Sequence, residues 1–213
     1  MKKPIAKDWN EMPLRLWQEE QEILADKETD AVDKNVRLVA LMYDMSEDEA
    51  YNTELNEFSN MLDGIGWLGK NPDVPGVAPA YNLNGTTYIV TLNPQKITTA
   101  QYIDYKSFNP DDPNNIHLIL STVMVPSGHT YNDGGYELED VQNDILDYLR
   151  VPHALAIVRF FFQYYKRLTI NSLHSLTKTL RKEARRTKDR EKRNQIQIQI
   201  KKTEELERIL GSL

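Results

Sequence analysis

Apolar residues recur along this chain mostly at three- and four-residue steps, the spacing of a helix with one buried face. Leu14, Trp17, Ile23 and Leu24 share a broad apolar face in a helix predicted from Asp8 to about Ala25, with Trp9 near its start and Pro13 in its first turn. Val32, Val36, Val39 and Ala40 predict a second helix from Ala31 to Tyr43. Ser46-Glu47-Asp48-Glu49 has the form of a capping box and opens a third helix through Leu55, Phe58 and Leu62. Gly64, Gly66 and Gly69, then Pro72 and Pro75, terminate it in a linker.

The period then changes. Two runs of β-forming residues, 79–83 and 86–92, flank Asn84-Gly85. This dipeptide favours a type I′ turn, because both of its residues tolerate positive φ. A two-stranded hairpin is marginal alone, so this one must lie on helices or join other strands. Thr98-Thr99-Ala100-Gln101 repeats the capping logic ahead of Tyr102, Ile103, Tyr105 and Phe108. The apolar stretch from Ile116 to Val125 suits a helix or a strand by length, and helix is the reading preferred here. Residues 126–136 form a glycine-rich loop.

Helical patterning resumes over 137–149 and 152–167, the latter carrying Ala154, Ala156, Ile157, Phe160, Phe161, Phe162, Tyr164 and Tyr165 around most of its circumference. Leu173, Leu176 and Leu180 extend an apolar stripe into residues 168–213. Between Arg181 and Gln195 the only aliphatic residue is Ala184, so that stretch offers no face for a core. The predicted fold is mainly α. A helical body with one β-hairpin spans 1–167, and a charged helical arm spans 168–213.

Composition sharpens the division. The net charge of −6 conceals 11 Lys/Arg against 3 Asp/Glu between Lys178 and Lys202, which leaves −14 on the rest of the chain. The arm residues Arg181, Lys182, Arg185, Arg186, Lys188, Arg190, Lys192 and Arg193 are therefore candidate contacts for a protein partner or for nucleic acid. No aromatic residue interleaves them to stack on bases, and the protein partner is the preferred reading. Ile196 and Ile200, within an alternating Gln-Ile run, share a helical face and expose apolar surface unless a partner or a second copy covers it. Read as a strand, the same run could add to a partner's sheet edge.

Signals for chemistry are few. Cysteine is absent, which excludes disulfides and thiolate sites. Neither a secretory leader nor an apolar run of bilayer length is expected. Four histidines, at 117, 129, 153 and 174, lack short metal-ligand spacing. The acidic clusters lack the calcium-loop pattern, so neither a metal nor another cofactor is predicted. Gly64 to Gly69 lacks the Lys-Ser/Thr ending of a phosphate loop and reads as a helix terminator. The loop holding His129, Tyr131, Asn132 and Asp133 brings an imidazole, a phenol and a carboxylate close in sequence. It stays open as a catalytic candidate, although the same residue types build ordinary tight loops.

The order of several features resembles a group of tailed-phage proteins, the tail assembly chaperones and related virion accessory proteins. These features are Asp8-Trp9-Asn10-Glu11-Met12-Pro13-Leu14, the capped helix after Ser46, and the Asn84-Gly85 hairpin ending in Tyr88-Ile89-Val90. They continue with 98–104, an aliphatic stretch closing on Pro126-Ser127-Gly128, Tyr131-Asn132, and the Phe160-Phe161-Phe162 helix. The resemblance covers about residues 8–165 and leaves out the basic arm. It implies a non-enzymatic factor that binds a tail structural protein during assembly in the host cytoplasm, or a small protein retained in the virion. A nucleic-acid-binding accessory protein working through the arm is the alternative.

Overall fold

A computed structural model describes residues 2–93 and 96–212; Leu213, the last residue of the expected arm, lies outside this range. The fold is mainly α, with a small antiparallel sheet and a long helix towards the C-terminus. Two compact units divide the chain, one ending at Val158 and the other starting at Arg159.

The first unit opens with α1 (Leu14–Ala25), α2 (Ala31–Met42), α3 (Glu47–Tyr51) and α4 (Leu55–Gly64). The helix expected from Asp8 starts six residues later. Asp8 accepts hydrogen bonds from the backbone N–H groups of Asn10 and Glu11, a local turn that competes with helix, and Pro13 becomes the extended N-cap residue. The single helix expected after Ser46 is two helices. Asn52 and Thr53 turn their side chains onto the carbonyls of Asp48 and Glu49 and interrupt the helix between α3 and α4. The capping box at Ser46 and Glu49 is present, as is the Asp30 cap on α2.

These helices enclose Met12, Leu16, Val36, Val39, Met42, Tyr43, Met61 and Ile65, with Trp9, Trp17 and Trp67 partly buried at the margin. The Trp9 indole meets Trp67 edge-on at 5.0 Å and donates to the Lys70 carbonyl at 2.8 Å. The turn after α4 is thereby fixed to the N-terminal segment.

The hairpin forms as expected, β1 (Ala80–Leu83) with β2 (Thr86–Val90), and Asn84 and Gly85 both take positive φ. It gains a third strand. The stretch predicted as helix from Ile116 to Val125 is helical only through α6 (Ile116–Ser121). Ser121 and Thr122 then bond back to the carbonyls of Leu118 and Ile119, and Gln101, capping α5 (Thr99–Ser107), donates to the Thr122 carbonyl at 2.8 Å. Released from helix, β3 (Met124–Pro126) pairs antiparallel with β2, Val125 opposite Ile89. The β-branched Val123 and Val125 suit that outcome.

α7 (Leu138–Tyr148) contributes buried Val141, Ile145 and Leu146. Asp144 on this helix accepts from the Tyr88 hydroxyl at 2.6 Å and from the Asn84 amide at 3.1 Å, so one carboxylate ties a helix to both a strand and its turn. Burial together with this bond pushes the Tyr88 phenol well above its usual pKa. Leu14 and Val151 exchange backbone hydrogen bonds with Leu149 and Met12, which closes the unit where α8 (Val151–Arg186) begins.

The second unit holds the rest of α8 and α9 (Arg190–Ser212). At its start Phe161 is buried, whereas Phe162, expected in the core, is 44% exposed. The two residues are one step apart on a helix and point about 100° away from each other.

Candidate partner-binding surface

The charged arm is a helical hairpin. Thr187-Lys188-Asp189 break the helix, and the break is built by side chains. Asp189 caps α9 by accepting from the N–H groups of Glu191 and Lys192 at 2.8 and 3.2 Å. The Arg193 guanidinium donates twice to the Thr187 carbonyl, at 3.2 and 2.8 Å, satisfying the end of α8.

Further cross-links set the direction of the hairpin. Lys192 pairs with Glu183 at 3.9 Å, Arg181 with Glu204 at 2.7 Å, and the Thr177 hydroxyl with Glu207 at 3.4 Å. Partners on one helix rise in number as those on the other fall, so the two run antiparallel. The sides tied together in this way carry the buried positions, Thr177 and Leu180 on α8 and Ile196 and Thr203 on α9. Their steps, three residues on α8 and seven on α9, are those of a coiled-coil seam, but two of these four positions are threonines. Exposed salt bridges such as Arg181–Glu204 contribute little to stability, so this seam is a thin one.

The basic residues thus separate into kinds. Arg193 holds the turn, and Lys192 and Arg181 are engaged with carboxylates. Lys182, Arg185, Arg186, Lys188 and Arg190 are exposed and have no ion-pair partner among the described residues. Ile196 is buried in the seam and Ile200 half-buried, so neither offers the open apolar surface anticipated from the Gln-Ile run. That surface lies instead on Leu168, Leu176, Ile198 and Leu206, which are 41 to 56% exposed.

The arm carries a concave region. His174, Thr177, Lys178, Arg181, Lys182 and Arg185 line a groove of about 360 Å³. His174 and Thr177 lie outside the basic segment, and Lys178 is its first residue but not one of the contacts its charge suggests. Their signal was positional: steps of three, one, three, one and three residues put all six on one side of a helix.

The loop of the first unit resolves differently. Asp133 organises it, accepting from the N–H groups of Thr130 at 2.8 Å and Gly135 at 2.9 Å, with its carboxylate 3.3 Å from His129 Nδ1. The two backbone bonds and then the imidazole hold its pKa below the usual carboxylate range. Tyr131 donates to Asp104 at 2.8 Å; burial first and this bond second push its phenol pKa up. Asn132 takes φ of +58°, and the rings of His129 and Tyr136 meet edge to face at 5.7 Å. An imidazole beside a carboxylate is half of a nucleophile-activating arrangement. Among the described residues no hydroxyl bonds to the His129 ring, and the carboxylate beside it is already engaged by two backbone N–H groups.

The other histidines have local partners. His117 lies 3.2 Å from the buried Gln18 amide, and burial lowers its pKa. His153 stacks edge-on with Tyr81 at 5.3 Å, and His174 stands 4.0 Å from Glu207. Among the described residues no three His, Asp or Glu side chains converge as a metal site, and no helix is long and apolar enough to cross a membrane.

Fold and surface together define a class: a mainly helical protein carrying an antiparallel helical hairpin with a basic groove and exposed aliphatic side chains. Comparison with protein-family models, with curated proteins and with solved structures finds no match.

Proposed function

We propose that this chain is a non-enzymatic assembly factor of a tailed bacteriophage, akin to the tail assembly chaperones. In this reading its hairpin arm docks on a tail structural protein during morphogenesis in the host cytoplasm. The observation that carries the docking role is the exposed aliphatic set Leu168, Leu176, Ile198 and Leu206, on a hairpin whose own seam is half threonine. Apolar side chains held in solvent on an ordered helix cost free energy until something covers them. An amphipathic helix or an aggregation-prone segment of a partner would do so by laying its own apolar face along the arm. The phage setting rests on the resemblance of residues 8–165 alone.

Co-expression with the tail-tube or tape-measure protein encoded in the same genome tests this. The full chain is expected to co-purify with one of them and raise its soluble fraction. The variant L176S/I198S/L206S should lose that partner while keeping its helix content, because all three positions are outside the seam. Failure of both proteins to co-purify or gain solubility would sink the chaperone reading.

A further inference from the structure

The groove on α8 has a lining unlike the apolar set beside it. Of its six residues, four are cations, one is a histidine and one a threonine, with no aliphatic side chain and no Phe, Tyr or Trp. Protein interfaces are organised the other way, around buried apolar and aromatic anchors with charge depleted at the centre. Nucleic-acid contacts go mostly to phosphate oxygens, from Arg, Lys and hydroxyl side chains.

Spacing points the same way. From His174 to Arg185 the helix advances about 16 Å, and its cations fall at one-turn intervals along that line. A row of this kind can track successive phosphates. Only Arg181, of the four lining cations, is engaged by a carboxylate, that of Glu204; Lys178, Lys182 and Arg185 have no ion-pair partner among the described residues. Glu207 stands 4.0 Å from His174 and accepts from Thr177 at 3.4 Å.

We infer that this groove is a binding site for the phosphate backbone of nucleic acid, separate from the surface that docks a protein partner. Lys178, Lys182 and Arg185 supply the charge, and Arg181 is held in place by Glu204. No Phe, Tyr or Trp lines the groove as a stacking platform, and Arg181, one of its two guanidinium groups, is already engaged by Glu204, so phosphate charge dominates and binding is expected to be independent of sequence. The cations of the turn, Lys188 and Arg190, are outside the lining and add only to the general field.

The test is fluorescence anisotropy of the full chain with a labelled 20-base-pair DNA duplex at 50 and 200 mM salt. Neutralising about three phosphates gives a slope near −2.7 in log affinity against log salt, so affinity should fall about 40-fold across that range. The variant K178Q/K182Q/R185Q should lose at least tenfold at 50 mM salt, with unchanged helix content, since glutamine suits an exposed helix. The variant K188Q/R190Q should stay within about threefold of the parent. A second duplex of unrelated sequence should bind equally. Absence of binding at 50 mM salt, or equal losses in the two variants, would overturn the groove as the site. Displacement of the duplex by polyglutamate at equal charge concentration would assign the groove to an acidic protein instead.

Discussion

The two units handle their apolar residues in contrasting ways. In the first, Leu14, Met61, Ile119, Ile145 and Val151 are at most 2% exposed and come from helices and loops far apart in sequence. In the second, beyond Tyr165, the described buried positions are Thr177, Leu180, Ile196 and Thr203, while Leu168, Leu176, Ile198 and Leu206 stay in solvent. Both units leave some aliphatics in solvent, Leu55 of the first at 81%, so the difference lies in what is buried: a unit that seals only a thin seam is suited to completion by something else.

The sharpest way to break this contrast is to cut into each unit separately. Ile145→Ala removes a fully buried side chain of α7 and is expected to cost about 3 kcal/mol, read as a lower urea midpoint. Leu180→Ala, at the edge of burial in the arm, should cost less than half as much and leave the urea transition of the first unit in place. Equal losses would mean that the arm is as well packed as the body.

Next in size is Asp144→Ala. The carboxylate holds the Tyr88 hydroxyl and the Asn84 turn together, and its removal orphans the phenol of a buried tyrosine, at about 2 kcal/mol. Phenylalanine at position 88 should recover part of that loss, since it removes the stranded donor; absence of any recovery would show that Asp144 acts elsewhere.

The first unit was the more legible of the two, and the reason is physical. Caps and turns are local: Ser46 with Glu49, Thr98 with Gln101, and Asn84-Gly85 form what their spacing predicts. Where the reading departed from the fold, side chains competing for backbone carbonyls decided, as at Asn52-Thr53 and Ser121-Thr122. β3 was hidden because its partner, β2, is over thirty residues away. In the arm, charge counting found the basic segment but not the groove. Which cations are free depends on Glu183 and Glu204 facing them across the hairpin, and that register is invisible along the sequence.

The hairpin turn carries the third expectation. Asp189→Ala removes the α9 cap and should cost about 1 kcal/mol, confined to the arm. Hydrogen exchange would show it as faster exchange along the first turns of α9, with α7 amides unchanged. Protection lost in both helices would mean that the arm supports the body rather than standing as an appendage.

The smallest effect has the clearest sign. Glu20 in α1 is 2% exposed, its carboxylate takes one hydrogen bond, from the neighbouring Gln21 amide, and burial raises its pKa above the usual value. A carboxyl whose folded pKa is raised favours the native state while protonated. That contribution is complete below the unfolded pKa and is lost as pH climbs through the folded one. Wherever Glu20 is ionised, burial opposes its charge, and there Glu20→Gln should raise the thermal midpoint by about 2 °C. The advantage should shrink as pH falls into the range where carboxylates protonate. The arm has no counterpart, since none of its described charged side chains is buried. A gain independent of pH would trace the effect to packing; a loss at neutral pH would mean that the Glu20 charge has a partner that glutamine cannot satisfy.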